Sequence, residues 1–231
     1  FTIDIYSDTL CPWCYIGKKH LDRAIETYRE QNPDAEFSLS WKPFELMPNA
    51  KATELRKKAF FVNRLGSKAP AFFERLSKLA MEYGFEFEWN GMTGNTHDSH
   101  KLILLAMDQD AAADQHHQQT LGSQSPPPHG VDTRQDAVVM ALFRGAFEQG
   151  RDISDRGFLV EVALQLGLLP DDATVLAWLD SPEANARVDT SIARAKAIGI
   201  NGVPSFVVQD RYRVGGMQEP GIFLGLFDKI R

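Results

Sequence analysis

The sequence predicts an α/β fold in which a large all-helical domain is inserted between a βαβ half and a ββα half. Three observations carry this. The chain opens as strand, helix, strand, which forces a parallel pairing across a helical crossover. Its middle, residues 53–198, is almost wholly patterned as helix. Past residue 198 the pattern returns to a hairpin and one closing helix.

Residues 2–7 alternate apolar and polar with period two, as a half-buried strand does. After Cys11 the period changes: Leu21, Ala24, Ile25 and Tyr28 fall at i, i+3, i+4 and i+7 of a helix. Pro12 suits the first turn of that helix, where a missing N–H costs nothing, and Asn32-Pro33-Asp34 ends it. Residues 36–42 form a second strand with Phe37, Leu39 and Trp41 on one face. Helices are expected over 53–64, 67–83, 97–114, 134–149, 155–167, 172–180 and 183–198. Asn95 with Asp98 resembles a capping box for the third of these, and Asp171 with Asp172 can cap the sixth. Between them, residues 115–133 hold Ser123-Gln124-Ser125-Pro126-Pro127-Pro128-His129-Gly130 and read as a polar, proline-rich loop. Residues 205–209 are an apolar strand, Asp210-Arg211 a tight turn, and residues 212–214 the answering strand. Gly215-Gly216 breaks that strand, and residues 220–230 close the chain as an amphipathic helix. Set the helical block aside and βαβ followed by ββα remains, which is the thioredoxin arrangement. The chain therefore divides into residues 1–50 and 191–231, the two parts of the thioredoxin-like domain, around a helical insertion at 51–190.

Composition narrows the function classes. The 231 residues are 43% hydrophobic, enough for a sizeable core. A net charge of −6, with no dense Lys/Arg cluster, argues against a nucleic-acid partner, which needs a basic face. No apolar run approaches the roughly 20 residues that cross a bilayer, so no membrane association is expected. The opening FTIDIYSD reads as a strand, not as a signal peptide, because no basic region precedes an apolar one.

The chain has 2 cysteines, together in Cys11-Pro12-Trp13-Cys14. So short a loop cannot staple a fold, so the pair is there for chemistry or for a metal. Residues i and i+3 share a helix face, which lets the two sulfurs meet at bonding distance. The unpaired N–H groups of a helix start can lower a thiol pKa from about 8.5 to about 3.5–7.5. Cys11 is thus expected to be the exposed nucleophile, and Cys14, one turn further in, the buried resolving thiol. A metal site would need partners from His97 and His100 or from His116 and His117, pairs that read as surface or capping groups; no metal is expected. In Gly202-Val203-Pro204-Ser205-Phe206 a proline stands directly before an apolar strand. It is either a plain loop-to-strand junction or a cis-proline turn that carries the Val203 backbone to Cys11.

With these motifs in order along nearly the whole chain, the sequence resembles the DsbA family, and within it the FrnE-like branch. The matching stretches run Ser7 to Gly17, Trp41 to Leu46, Asn95 to His100, Gly150 to Ser154, and Gly202 to Phe206. The resemblance implies a cytoplasmic thiol–disulfide oxidoreductase without resident cofactor, acting on a disulfide- or thiol-bearing protein or small molecule, with glutathione as co-substrate. It implies a cis Pro204 and a Val203 backbone offered to an extended substrate, with Pro12, Trp13, Met217 and Gln218 lining the same cradle. Pro-Trp replaces the Pro-His of periplasmic DsbA between the cysteines, so a strongly oxidising character does not carry over. The run around Pro126–Pro128 looks like an insertion relative to the family, and the extra cysteine pairs of some FrnE-like proteins are absent. Kappa-class glutathione transferases and 2-hydroxychromene-2-carboxylate isomerases resemble the chain in layout too, with serine in place of Cys11. They supply the alternative reading, a glutathione-dependent isomerase or transferase acting on a small aromatic substrate. A non-catalytic client-binding module is a third reading, but it gives no reason for the paired cysteines.

Overall fold

The computed structural model describes residues 1–50, 55–121 and 133–231, with backbone only for 114–121. Strand β1 (Thr2–Ser7) leads through the Asp8–Cys11 loop into helix α1 (Pro12–Gln31), and β2 (Ser38–Pro43) returns parallel to β1. At the other end of the chain come β5 (Ser205–Val208), β6 (Tyr212–Gly215) and α9 (Pro220–Ile230). The sheet order is β2-β1-β5-β6, with β1–β5 and β5–β6 antiparallel. The hairpin turn is one residue longer than expected: Gln209, Asp210 and Arg211 lie between the paired Val208 and Tyr212, and Gln209 and Asp210 both take positive φ (53° and 51°).

Strand alternation decides the two faces. Ile3, Ile5, Leu39, Trp41, Phe206 and Val208 point into the main core, joined there by Phe223 and Phe227 of α9 and by Leu21, Ile25 and Tyr28 of α1. Tyr6 and Val207, one residue out of phase, pack on the opposite face with Phe44, Ala195 and Ile200. β2 is an edge strand, and its backbone at Trp41 is satisfied by a side chain: Gln135 Nε2 donates to the Trp41 carbonyl, and Gln135 Oε1 accepts the Trp41 N–H, at 3.0 and 2.9 Å.

The insertion carries α2 (Lys57–Leu65), α3 (Ala69–Glu82), α4 (His97–Leu121), α5 (Arg134–Phe147), α6 (Arg156–Gln165), α7 (Asp172–Asp180) and α8 (Pro182–Ala197), each within a few residues of an expected helix. Four expectations need correction. The insertion is not wholly helical: Leu55–Arg56 (β3) and Met92–Thr93 (β4) form a short antiparallel ladder, so the first helix begins at Lys57 instead of residue 53. Of the expected loop at 115–133, residues 115–121 continue α4, Thr133 caps α5 by accepting the Asp136 N–H, and 122–132 lie outside the described residues. The Asn95–Asp98 box is half formed: Asn95 accepts the His97 N–H, but Asp98 turns to Lys101 and Arg156 instead of reaching back. Asp171 does cap α7. Finally, the boundary drawn at 190/191 falls inside α8, which runs unbroken and packs on both α4 and β2.

Candidate active site

Cys11 is the N-cap of α1, with extended backbone (φ −96°, ψ 108°), and Pro12 fills the first helical position. The Cys11 N–H donates to the Asp8 carbonyl at 2.9 Å and the Cys14 N–H to the Cys11 carbonyl at 3.0 Å, so the helix start is closed by backbone alone. The helix interrupts the strand here because Pro12 lacks a donor for a ladder but has the φ a first turn requires. Both cysteines are free thiols.

Cys11 is not the exposed thiol that its place at a helix start suggested. It is only 4% exposed, against 1% for Cys14. Both belong to the main core, against which half-buried Trp13, Leu46 and Val203 also pack. The Cys11 Sγ donates to the Val203 carbonyl at 3.8 Å, and the Val203–Pro204 peptide bond is cis. Gly17 lets α1 come this close: a Cβ there would stand 3.1 Å from Pro204 Cγ and 3.3 Å from Phe206 Cζ. The Pro204 carbonyl in turn accepts the Gly216 N–H at 2.8 Å, which binds the proline turn to the end of β6.

Burial, with the neighbouring Cys11 adding to it, pushes the Cys14 thiol well above its ordinary pKa, while the Ser7 hydroxyl and the Asp8 backbone N–H pull the other way. Alkylation of the reduced protein near about pH 8 is therefore expected to label Cys11 first and Cys14 only after unfolding. Mass mapping that finds Cys14 labelled first reverses the order of the two thiols.

The remaining expected residues separate into two groups. Trp13 meets Phe72 edge-on at 5.7 Å and lies under the Arg75 guanidinium at 5.3 Å. Met217 packs in the same apolar cluster as Trp13 and Phe72, so these three make one wall. Gln218 faces elsewhere: its amide donates to the Gly215 carbonyl and its own carbonyl bonds His20 Nδ1, both at 2.8 Å, so it fixes the turn after β6 onto α1. An open cavity of ≈ 400 Å³ lies along Gly202, Val203, Pro204 and Gly216, and its lining includes neither cysteine. A larger one of ≈ 690 Å³ lies around Lys18, Asp22, Asp136 and Arg144; its lining includes neither cysteine, and Lys18 there is held by Asp22 and Asp136.

Residues that the cysteine spacing alone did not single out also surround the dithiol. Asp8 is fully buried behind Cys11; its carboxylate accepts the N–H groups of Leu10 and Leu46 at 3.2 and 2.6 Å. The start of α4 grips this loop through a 2.7 Å bond between Ser99 and Thr9, and grips the segment after β2 through another of 2.7 Å between His97 Nδ1 and Glu45. The hydrogen bond to Glu45 raises the His97 pKa. His97 and His100 thus bond the segment that follows β2, at Glu45 and at the Phe44 carbonyl; the side chains of His116 and His117 lie outside the described residues. The signal for this belt was present in the stretches Ser7–Gly17 and Asn95–His100, whose partnership crosses some 90 residues (Thr9 to Ser99, separation 90).

A family model described as a DSBA-like thioredoxin domain matches residues 2–127 and 128–225. A probable DsbA oxidoreductase from Streptomyces coelicolor is 26% identical, superposes with a TM-score of 0.78, and is covered over 99% of this chain and 88% of its own. A 2-hydroxychromene-2-carboxylate isomerase shares the fold at 15% identity and TM-score 0.63, over 100% of this chain and 96% of that one. The cytosolic disulfide reductase DsbM of Pseudomonas aeruginosa, in a structure with glutathione, does so at 17% identity and TM-score 0.57, over 99% and 95%. Among the described residues no helix is long and apolar enough to cross a membrane.

Proposed function

The chain belongs to the DSBA-like thioredoxin domain family, a family of thiol–disulfide oxidoreductases, and from that premise we propose that it exchanges disulfides through Cys11 and Cys14. The observation that carries this is the pair of free thiols on one turn of α1, with the first within hydrogen-bonding reach of the Val203 carbonyl. The Cys11 thiolate attacks one sulfur of a substrate disulfide, forming a mixed disulfide and expelling the other sulfur as thiolate. Cys14, deprotonated, then attacks the Cys11 sulfur; the Cys11–Cys14 disulfide forms and the second substrate thiolate leaves. Two electrons have passed to the substrate. Two glutathione thiols restore the dithiol and depart as oxidised glutathione, and the sequence read backwards oxidises a dithiol substrate.

Val203 offers its carbonyl to an extended thiol-bearing segment as an added strand would, and Pro12, Trp13, Pro204 and Met217 line the approach. Gln218 acts on the cradle only through the turn it holds. Because Cys11 is covered, substrate entry requires the Val203 side to open. A cytoplasmic setting, where glutathione supplies electrons, fits this reading, and the Pseudomonas reductase of the same fold has a structure with glutathione.

The wall of Trp13, Phe72 and Met217 favours a second reading. There glutathione is the nucleophile, a small aromatic substrate stacks on that wall, and Cys11 only hydrogen-bonds the glutathione thiolate. The wild-type protein decides between them. We expect glutathione-driven reduction of a protein disulfide and a titratable Cys11–Cys14 couple, with little conjugation or isomerisation of aromatic carbonyl substrates. Transferase or isomerase turnover in the absence of disulfide reduction would reject the first reading.

A further inference from the structure

Positive charge and apolar surface coincide at one place beside the dithiol that the exchange steps leave unused. The chain as a whole is acidic, with a net charge of −6. Yet residues 55–73, from β3 through α2 into α3, hold Arg56, Lys57, Lys58, Arg64 and Lys68 and no acidic residue. Glu74, the next carboxylate along the chain, is taken up by Lys78 at 2.8 Å. Lys57 turns inward, its amino group on the Ala146 carbonyl, while the other four basic side chains are exposed.

Arg56 and Arg64 line an open cavity of ≈ 680 Å³ together with Met47, Leu55 and Phe60. Arg56, Phe60 and Arg64 stand four residues apart, which puts them on one face of α2 and its N-cap. A file of rings joins this cavity to the cysteines. Phe60 meets Phe61 at 5.0 Å, Phe61 stacks on Phe72 at 5.2 Å, and Phe72 meets Trp13 at 5.7 Å. Trp13 packs against the cluster that holds Cys11 and Cys14, and the exposed Arg75 guanidinium lies 5.3 Å from its ring. None of Arg56, Arg64 and Arg75 is ion-paired to another described residue. Three guanidiniums without carboxylates, set along an apolar file, match an extended chain that brings both apolar and acidic side chains. The acidic remainder of the molecule repels such a chain, so the attraction is confined to this face.

We propose that the α2–α3 face is a docking surface for an acidic, extended segment of a disulfide-bearing protein substrate, with Arg56, Arg64 and Arg75 pairing with its carboxylates. The proposal rests on the oxidoreductase reading and adds the class of substrate. The ring file from Trp13 to Phe60 is covered by about five residues of extended chain, at about 3.3 Å each. The carboxylates therefore belong within about five residues of the substrate cysteine.

The test uses synthetic peptides whose one cysteine carries a 2-pyridyl disulfide. Attack of the Cys11 thiolate on the peptide sulfur expels pyridine-2-thiolate, which is read by absorbance. Cys14 then attacks the Cys11 sulfur and frees the peptide as its thiol. One peptide has Glu at the fourth and fifth positions on both sides of the cysteine, and its counterpart has Gln there. With the reduced protein at low salt, the second-order rate constant is expected to be about fivefold higher for the Glu peptide. The preference should fall below about twofold at about 0.5 M salt. Arg56→Gln with Arg64→Gln, and separately Arg75→Gln, should each bring the ratio of the two rates to about twofold or less. The ratio is taken on one protein at a time, so a loss of folded material cancels from it. Equal rates for the two peptides, faster reaction of the Gln peptide, or a Glu preference that survives in every variant overturns the proposal. Variants that keep the peptide ratio but react more slowly with oxidised glutathione assign the guanidiniums to a small anion and overturn it as well. A peptide that never reacts, or that stays bound to Cys11 of the wild-type protein, instead rejects the oxidoreductase reading, and the docking surface with it.

Discussion

Cys14→Ser is expected to hold substrate covalently on the protein. With the resolving thiol replaced, the mixed disulfide on Cys11 has no neighbour to attack it, and adducts persist until an outside thiol reaches a sulfur that is 4% exposed in the free protein. Cys11→Ser should give no adduct, since the remaining Cys14 thiol is buried and pushed well above its ordinary pKa by that burial. Disulfide turnover in both variants falls to the uncatalysed background, so the adduct and not the rate separates the two roles. Non-reducing gels followed by mass mapping read this directly. Equal trapping by both variants, or trapping only in Cys11→Ser, would rule out the two-step mechanism with these roles.

A large loss of stability is expected from a residue far from either sulfur. At Gly91 an added Cβ would overlap the Gly150 carbonyl oxygen and stand 2.7 Å from its carbonyl carbon. Both are backbone atoms, so no rotamer can move them aside. Gly150 is itself constrained, with φ +68°, and its neighbour Arg151 donates its N–H to the Gly145 carbonyl at 2.8 Å. On the other side, the Gly91 carbonyl accepts the Lys57 N–H at 2.9 Å, where α2 begins. Overpacking typically costs about 1–3 kcal/mol, and a clash with fixed backbone on both sides belongs near the upper figure of about 3 kcal/mol. For a chain of this size that lowers Tm by about 6–12 °C. Gly225 in α9 supplies the control: nothing lies within 4 Å of its added Cβ. Gly225→Ala in a helix interior is expected to raise stability by about 0.5–1 kcal/mol. Calorimetric scans of both variants check this; a Gly91→Ala protein as stable as the parent means that the two segments can separate freely, so the close Gly91–Gly150 approach does not constrain the fold.

The elements and the dithiol were legible in the sequence because they depend on short-range geometry. Period two placed β1 within Thr2–Ser7, period 3.6 placed the helices, and Pro12 fixed where α1 starts. The three-residue spacing of Cys11 and Cys14 set them on one helix face whatever surrounds them. A proline before an apolar strand marked the turn at Val203, although local sequence left its isomer open.

Other features were settled only when distant segments met. Whether Cys11 is open or covered depends on Val203, 192 residues away, and on packing by Trp13 and Leu46. The resemblance implies Gln218 in the cradle, yet its amide bonds the Gly215 carbonyl and its own carbonyl bonds His20, so it fastens the turn after β6 onto α1. The ladder of β3 and β4 is not legible in the sequence because two residues per strand carry no detectable period. His100 could be seen in the sequence, but not its bond to the Phe44 carbonyl, since the spacing within Asn95–His100 says nothing of Phe44. The sequence by itself determined the order of strands and helices and the chemistry of the paired thiols, because hydrophobic period and helix-start stereochemistry act over a few residues. Tertiary structure alone decided that Cys11 is covered as Cys14 is, and which groups surround it, because those contacts arise from packing between segments as many as 192 residues apart.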